Sequence, residues 1–247
     1  MKRRISLFLI FTLVIAMLYS DSVFAADNRV LKTIRYIEIL EKELSNNGTS
    51  VELELDKALQ YYQNLLLDRS AYLQDKNKIL SQIEIIKKQK DNYISYKSGI
   101  VERGKKHPVY SAAISAICSY FLLKTYLLSF ELLSHAADNN SLDSPYRPIQ
   151  GTRVMHSPLF NKIKNSKGKR GTGVFRPDPS DPCLQDLHYA INQFRWVKNS
   201  SHGSVTILDR YDFDVANYDG LTNGAVNLMY MAQIEGVIVP FKVIIER

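Results

Sequence analysis

Apolar residues recur at three- and four-residue intervals through the first half of the chain and at two-residue intervals near its end. The pattern predicts helices first and strands after, which is the α+β class. From Asn28 to about Ser45, the residues Val30, Ile34, Ile37, Leu40 and Leu44 fall on one helix face, and Asn46-Asn47-Gly48 stops the run. A longer helix is predicted from about Val51 to Tyr96, with Leu59, Tyr62, Leu66, Leu73, Leu80, Ile83 and Ile94 on an approximate heptad. Arg69, Lys76, Lys87 and Lys90 occupy the intervening core slots. So interrupted a seam predicts an antiparallel helical hairpin closed at the Asn-Asn-Gly turn, serving as scaffold or as a partner-binding surface.

The chain breaks between Gly99 and Pro108, and a third helix is predicted from Val109 to about Ala137, almost entirely apolar as far as Leu123. Lys124 inside that run and the basic Arg103, Lys105 and Lys106 ahead of it favour a buried central helix over a membrane span. From Asn139 to Pro182 the composition shifts to Pro, Gly, Ser and Lys, with Lys162, Lys164, Lys167, Lys169 and Arg170 close to Gly168, Gly171 and Gly173. This reads as a linker or solvated loop, with contact to phosphates or lipid headgroups as the alternative. No Gly-Lys-Ser/Thr follows at the spacing a nucleotide-binding loop needs. A short helix is predicted from about Gln185 to Arg195, with Leu187, Ile191 and Phe194 inward and Trp196 following, then a turn at Asn199 to Gly203. Strands are predicted at Ser204 to Phe213, Ala225 to Gln233 and Val237 to Ile245, the last two joined as a hairpin across Ile234-Glu235-Gly236. The organisation is thus a helical region over 27–137 (hairpin plus buried apolar helix), a basic loop over 138–182 and a small, mostly antiparallel β domain over 183–247.

The first residues change the setting. Met1-Lys2-Arg3-Arg4 is a positive start, Ile5 to Leu18 is an apolar run, and Val23-Phe24-Ala25 offers small residues at the positions a signal peptidase reads. A cleavable signal over 1–25 and a periplasmic or secreted protein are expected. The formal charge of +7 includes the three cations of that signal, so the remainder is modestly basic. Such a balance is not that of a dedicated nucleic-acid binder and suits an anionic membrane surface or a pyrophosphate-bearing lipid equally. In an oxidising compartment, Cys118 and Cys183 could bridge and staple the helical part to the C-terminal part, or remain two separate thiols.

No metal-ligand spacing, nucleophile elbow or dinucleotide loop occurs. The five histidines, His107, His135, His156, His188 and His202, are scattered and read as structural. What stands out is Asp209-Arg210-Tyr211-Asp212-Phe213-Asp214, three carboxylates within six residues at a strand end. Strand alternation puts Asp209 and Tyr211 on one face, and Asp212 joins them only where the strand breaks. Carboxylates grouped this way can hold Mg²⁺ together with substrate phosphate oxygens, or supply a general base for an attacking water; a hydrogen-bonded polar strand end is the alternative.

The stretch Gly203-Ser204-Val205 through Asp209-Arg210-Tyr211-Asp212-Phe213, then Gly220-Leu221 and the closing Ile238-Val239-Pro240-Phe241-Lys242-Val243-Ile244-Ile245-Glu246, resembles the end of the colicin M catalytic domain. The resemblance covers under a fifth of the chain. It implies a Mg²⁺-dependent phosphodiesterase acting on the lipid-linked peptidoglycan precursor, that is, an exported antibacterial toxin or effector, with a possible immunity partner. It makes Asp209, Tyr211 and Asp212 the catalytic candidates, with Asp209 and Asp212 as the metal ligands; Tyr218, which replaces a family residue, could take over a proton-transfer role, and Arg210, Lys242 or the basic loop at Lys167 to Arg170 could substitute as the substrate-binding cations. Where the family carries a His-Arg pair, this chain has Tyr218-Asp219, which exchanges a phosphate-binding cation for an anion. Two other readings stay open: a non-catalytic exported binding protein that retains the fold, and a hydrolase of some other phosphodiester.

Overall fold

A computed structural model describes residues 31–67, 73–98, 108–138, 145–199, 204–214 and 220–246. The predicted signal, His107, His202 and the Tyr218-Asp219 pair lie outside the described residues. Helix α1 (31–46) buries Thr33, Ile37, Leu40 and Leu44 on one face. It ends at a turn whose Gly48 takes a left-handed φ of 70°, as the Asn-Asn-Gly signal predicts. Helices α2 (Val51–Leu67) and α3 (Leu73–Lys97) succeed it where one long helix is predicted. The buried stripe of α3 is Ile79, Gln82, Ile83, Ile86, Gln89 and Tyr93, whereas Leu80 and Ile94 of the predicted heptad are exposed. Tyr62 and Ile83 of the predicted heptad are buried as expected, and the template fails at Leu80 and Ile94 because the true stripe admits glutamines that a purely apolar pattern skips.

The predicted third helix is two. Helix α4 (Pro108–Leu123) is buried on every side from Ala112 to Ser119, and α5 (Leu127–Asp138) turns back against it. Between them Thr125 takes a φ of 59°, a left-handed conformation that ends the first helix. Among the described residues no helix is long and apolar enough to cross a membrane.

The described part of the segment with loop-like composition, from Pro145 on, holds regular elements. A 3-10 helix (Ile149–His156), α6 (Pro158–Asn165) and β1 (Arg170–Val174) occupy it. Ser157 caps α6 by accepting from the Phe160 N–H, with Pro158 at the first helical position. Helix α7 (Pro182–Ile191) is capped by Asp181, and β2 (Gln193–Lys198) takes the residues predicted to close the helix. Strand β3 (Val205–Tyr211) agrees with its expected position.

The second predicted strand is instead α8 (Gly220–Ile234), so the predicted hairpin does not form; β4 (Phe241–Glu246) comes after a turn at Gly236, φ 70°. In α8, Leu228, Met229 and Ala232 are buried and the half-buried Ala225 packs against the same core. That is helical spacing, and Ala, Leu and Met favour helix. The sheet order is β1-β2-β3-β4 with every pair antiparallel, as the α+β reading predicts. Tyr146 adds a one-residue parallel bridge to Val243 on the edge of β4.

One face of the sheet (Phe194, Trp196, Val205, Ile207, Tyr211, Phe241, Val243, Ile245) is buried, and a single hydrophobic cluster runs from Ile37 of α1 to Ile245 of β4. Two fully buried carboxylates stitch α5 to the 3-10 helix and to α7. Glu131 accepts from the Tyr146 hydroxyl (2.7 Å) and from the backbone N–H groups of Ile149 (2.7 Å) and Gln150 (2.8 Å), satisfying the start of the 3-10 helix. Asp186 of α7 accepts from the N–H groups of Leu128 (3.0 Å) and Ser129 (2.8 Å) and from the Ser129 hydroxyl (2.7 Å), and pairs with Arg153 at 2.9 Å. Cys118 and Cys183 are free thiols, so the bridge between them is not formed.

Candidate functional site

Strand β3 positions the carboxylate block. Its buried positions alternate through Val205, Ile207 and Tyr211, so Asp209 belongs to the same core-facing row, opposite Val243 in the ladder. A carboxylate in such a row is costly to ionise. Burial pushes the Asp209 pKa up to about 7, the charge of Asp212 adds to the rise, and the backbone N–H of Arg210 opposes it. Asp209 is therefore half-protonated near neutrality, the condition of an effective general base.

Past Tyr211 the chain leaves the sheet. The Phe213 N–H donates to Gln233 Oε1 (2.9 Å), and Gln233 Nε2 donates to the Phe213 carbonyl (3.2 Å), so α8 fixes the departing segment. The break brings Asp212 to the cleft that Asp209 lines. Asp212 pairs with Arg210 Nε at 3.1 Å. Partial burial raises its pKa, Arg210 lowers it and Asp214 raises it.

The cleft holds about 350 Å³. Asp209, Asp212 and Asp214 line it together with His188, Tyr189 and Asn192 from the end of α7. His188 has the structural contact expected of it, since its Nδ1 lies 2.8 Å from the Phe175 carbonyl oxygen. That bond assigns the proton to Nδ1 and leaves Nε2 as the acceptor. The helix-to-strand junction at Asn192-Gln193 brings His188 to this cleft. The sequence conceals it because His188 of α7 and Asp209 of β3 come to line one cleft only in the folded chain.

Tyr211 is 5% exposed, and its ring packs on Phe213 (centroids 5.2 Å apart) and Phe241 (5.4 Å), which holds its hydroxyl pKa well above the usual phenol value. Its surroundings are those of a packing residue at the junction of the polar cleft with a narrow apolar slot of about 80 Å³, lined by Tyr36, Tyr120, Phe121 and Met229. The structure thus brings Asp209, Asp212 and Arg210 together and sets Lys242 directly opposite Arg210 across the β3–β4 ladder. Tyr218 lies outside the described residues.

Among the described residues no three His, Cys, Asp or Glu side chains converge on a metal position. The donor set available for Mg²⁺ is the Asp209-Asp212 pair on one cleft. Two carboxylates fit a Mg²⁺ that takes its remaining ligands from water and phosphate.

No protein-family model, no curated protein and no solved structure matches the chain.

Proposed function

We propose that the chain is an exported phosphodiesterase of the colicin M type, acting on the lipid-linked peptidoglycan precursor, with the Asp209 cleft as its active site. The observation that carries this reading is Asp209 itself, a carboxylate on the core-facing row of β3, at the edge of a polar cleft, with a pKa raised to about 7. In this reading Asp209 takes the proton of an attacking water, and Asp212 and Arg210 orient the cleft's charge toward a phosphate. The leaving oxygen takes its proton from solvent, and His188 Nε2, lining the same cleft, accepts a hydrogen bond that orients the attacking water. Mg²⁺, when held by Asp209 and Asp212, supplies charge neutralisation to the phosphate oxygens.

The test is incubation of the purified protein with the lipid-linked precursor and Mg²⁺, followed by chromatography. Release of a pyrophosphorylated product by the parent, with at least about a hundredfold loss in Asp209→Asn and a smaller loss in His188→Asn, is the expected result. Absence of product at high protein concentration would overturn it.

The second reading is an exported binding protein that retains the fold without turnover. The observation favouring it is the deep burial of Tyr211, which gives that member of the block a packing role. Recovery of a stable partner complex through residues 27–137, with no cleavage, is its signature.

A further inference from the structure

Three cations share the side of the sheet that faces away from the core. Arg195 of β2, Arg210 of β3 and Lys242 of β4 are exposed, while their strand neighbours Phe194, Trp196, Tyr211, Phe241 and Val243 are buried. Strand alternation therefore places all three on the outer face. The register sets their spacing. Arg210 lies directly opposite Lys242, and Arg195 lies opposite Leu208, one diagonal step from Arg210. Directly opposed side chains start about 5 Å apart and diagonal ones about 7 to 8 Å apart, so three long cationic side chains can converge on one small anion.

Like charges directly opposed destabilise a sheet, so this arrangement opposes stability. Among the described residues the one ion pair to any of the three is Asp212 with Arg210, and the Arg210 side chain is 68% exposed, where water screens the attraction. A cleft of about 630 Å³ opens over the three cations, with Thr172 and Gln193 beside them as neutral donors. Gln193, Asp209 and Arg210 also line the carboxylate cleft, so the two clefts meet around the end of β2.

We propose that Arg195, Arg210 and Lys242 form a pyrophosphate-binding site on the outer face of the sheet. Guanidinium groups match phosphate oxygens bidentately, and the ammonium adds a point charge. The site's part in catalysis, holding a pyrophosphate while the adjoining carboxylates act, rests on the hydrolase reading; its capacity to bind the anion does not. Arg195 is the member that neither the carboxylate block nor its resemblance points to, and it reaches the site only through the pairing of β2 with β3.

Titration calorimetry of the purified protein with inorganic pyrophosphate tests the site. Arg195→Gln and Lys242→Gln change exposed side chains and leave the core intact, and Lys162→Gln removes an equal charge from α6 as a control. Saturable binding is expected, weakened about tenfold by each site substitution, unchanged by Lys162→Gln and falling with added salt. Sedimentation with phosphatidylglycerol–phosphatidylcholine vesicles separates a lipid headgroup from the free anion: vesicle binding that pyrophosphate displaces supports the same site. No pyrophosphate binding, or equal weakening by Lys162→Gln, would overturn the site in favour of diffuse surface charge. Pyrophosphate binding without precursor cleavage keeps the site and sinks the hydrolase reading. Cleavage that is indifferent to Arg195→Gln and Lys242→Gln overturns the site's part in catalysis and leaves the hydrolase standing.

Discussion

Once ionised, Asp209 opposes stability, because burial penalises its charge. Its carboxyl is ordinary in the unfolded chain and raised to about 7 in the folded one, so between those values the folded state binds a proton that the unfolded chain has lost. Stability must then fall as pH rises from about 4 to about 7, with the cost absent below that window and complete above it. The magnitude is on the order of 2 to 4 kcal/mol at pH 8. Asp209→Asn removes the titration, so urea midpoints at pH 8 should rise relative to the parent while those at pH 4 barely change. A variant that is more stable at pH 8 and inactive at every pH is the expected signature of a residue kept for chemistry; equal stability of parent and variant at pH 8 would refute the burial argument.

The thiols give a second expectation at this scale. Burial pushes Cys118 up to about 12, with its Sγ 3.8 Å from the Ser134 hydroxyl, so alkylation of the native protein should label Cys183 and reach Cys118 only on unfolding. Peptide mapping by mass spectrometry checks it.

At the level of elements, what the sequence announces and what it hides divide along a physical line. The N-terminal turn is legible because Gly48 needs a left-handed φ, and β3 because its period of two is carried by Val205, Ile207 and Tyr211. Strand β1 is not legible. Its core-facing positions are Gly171 and Gly173, which show no apolar period, and the bulk belonging to those positions comes from Trp196 and Phe194 across the ladder. A Cβ at Gly171 would lie 2.7 Å from the Trp196 ring, and one at Gly173 would lie 2.4 Å from the Phe194 ring. The glycines that resemble loop punctuation are the sockets for two aromatic rings. Gly173→Ala should therefore cost about 1 to 3 kcal/mol through overpacking, read as a lower thermal midpoint. A neutral outcome would mean that Phe194 has room to move.

Helix α8 departs from its predicted strand for the opposite reason. Ala225 to Gln233 is apolar at nearly every second position, and only the choice of Leu228, Met229 and Ala232 for burial reveals the helix. Of the candidate site, the Asp209-Asp212 block and the Arg210-Lys242 neighbours are legible as residue types, whereas His188 and Arg195 are not. His188 reaches the cleft from α7 and Arg195 arrives through β2, and no local pattern encodes the tertiary packing of either.

For the whole molecule, the question is whether the helices and the sheet fold as one. The hydrophobic cluster is continuous from α1 to β4, and Asp186 lies at the join, holding the first turn of α5 from its place on α7. Replacing it with alanine strips two backbone donors and the Ser129 hydroxyl of their acceptor and leaves Arg153 without its 2.9 Å partner. Removing one side of a buried pair costs about 3 to 5 kcal/mol, chiefly because the remaining charge stays in place uncompensated. Asp186→Asn should cost less than Asp186→Ala, since its amide oxygen still accepts one of those bonds. The chain contains a single tryptophan, Trp196, which sits in β2. Its fluorescence reports on the sheet, while far-UV circular dichroism is dominated by the helices. For a molecule held together at Asp186, urea titrations by the two probes should coincide in the parent and shift together in Asp186→Ala, as one cooperative transition requires. Separation of the two curves in the parent would show that the sheet and the helices unfold as independent units, and that the contacts of Asp186 join two bodies that are each stable alone.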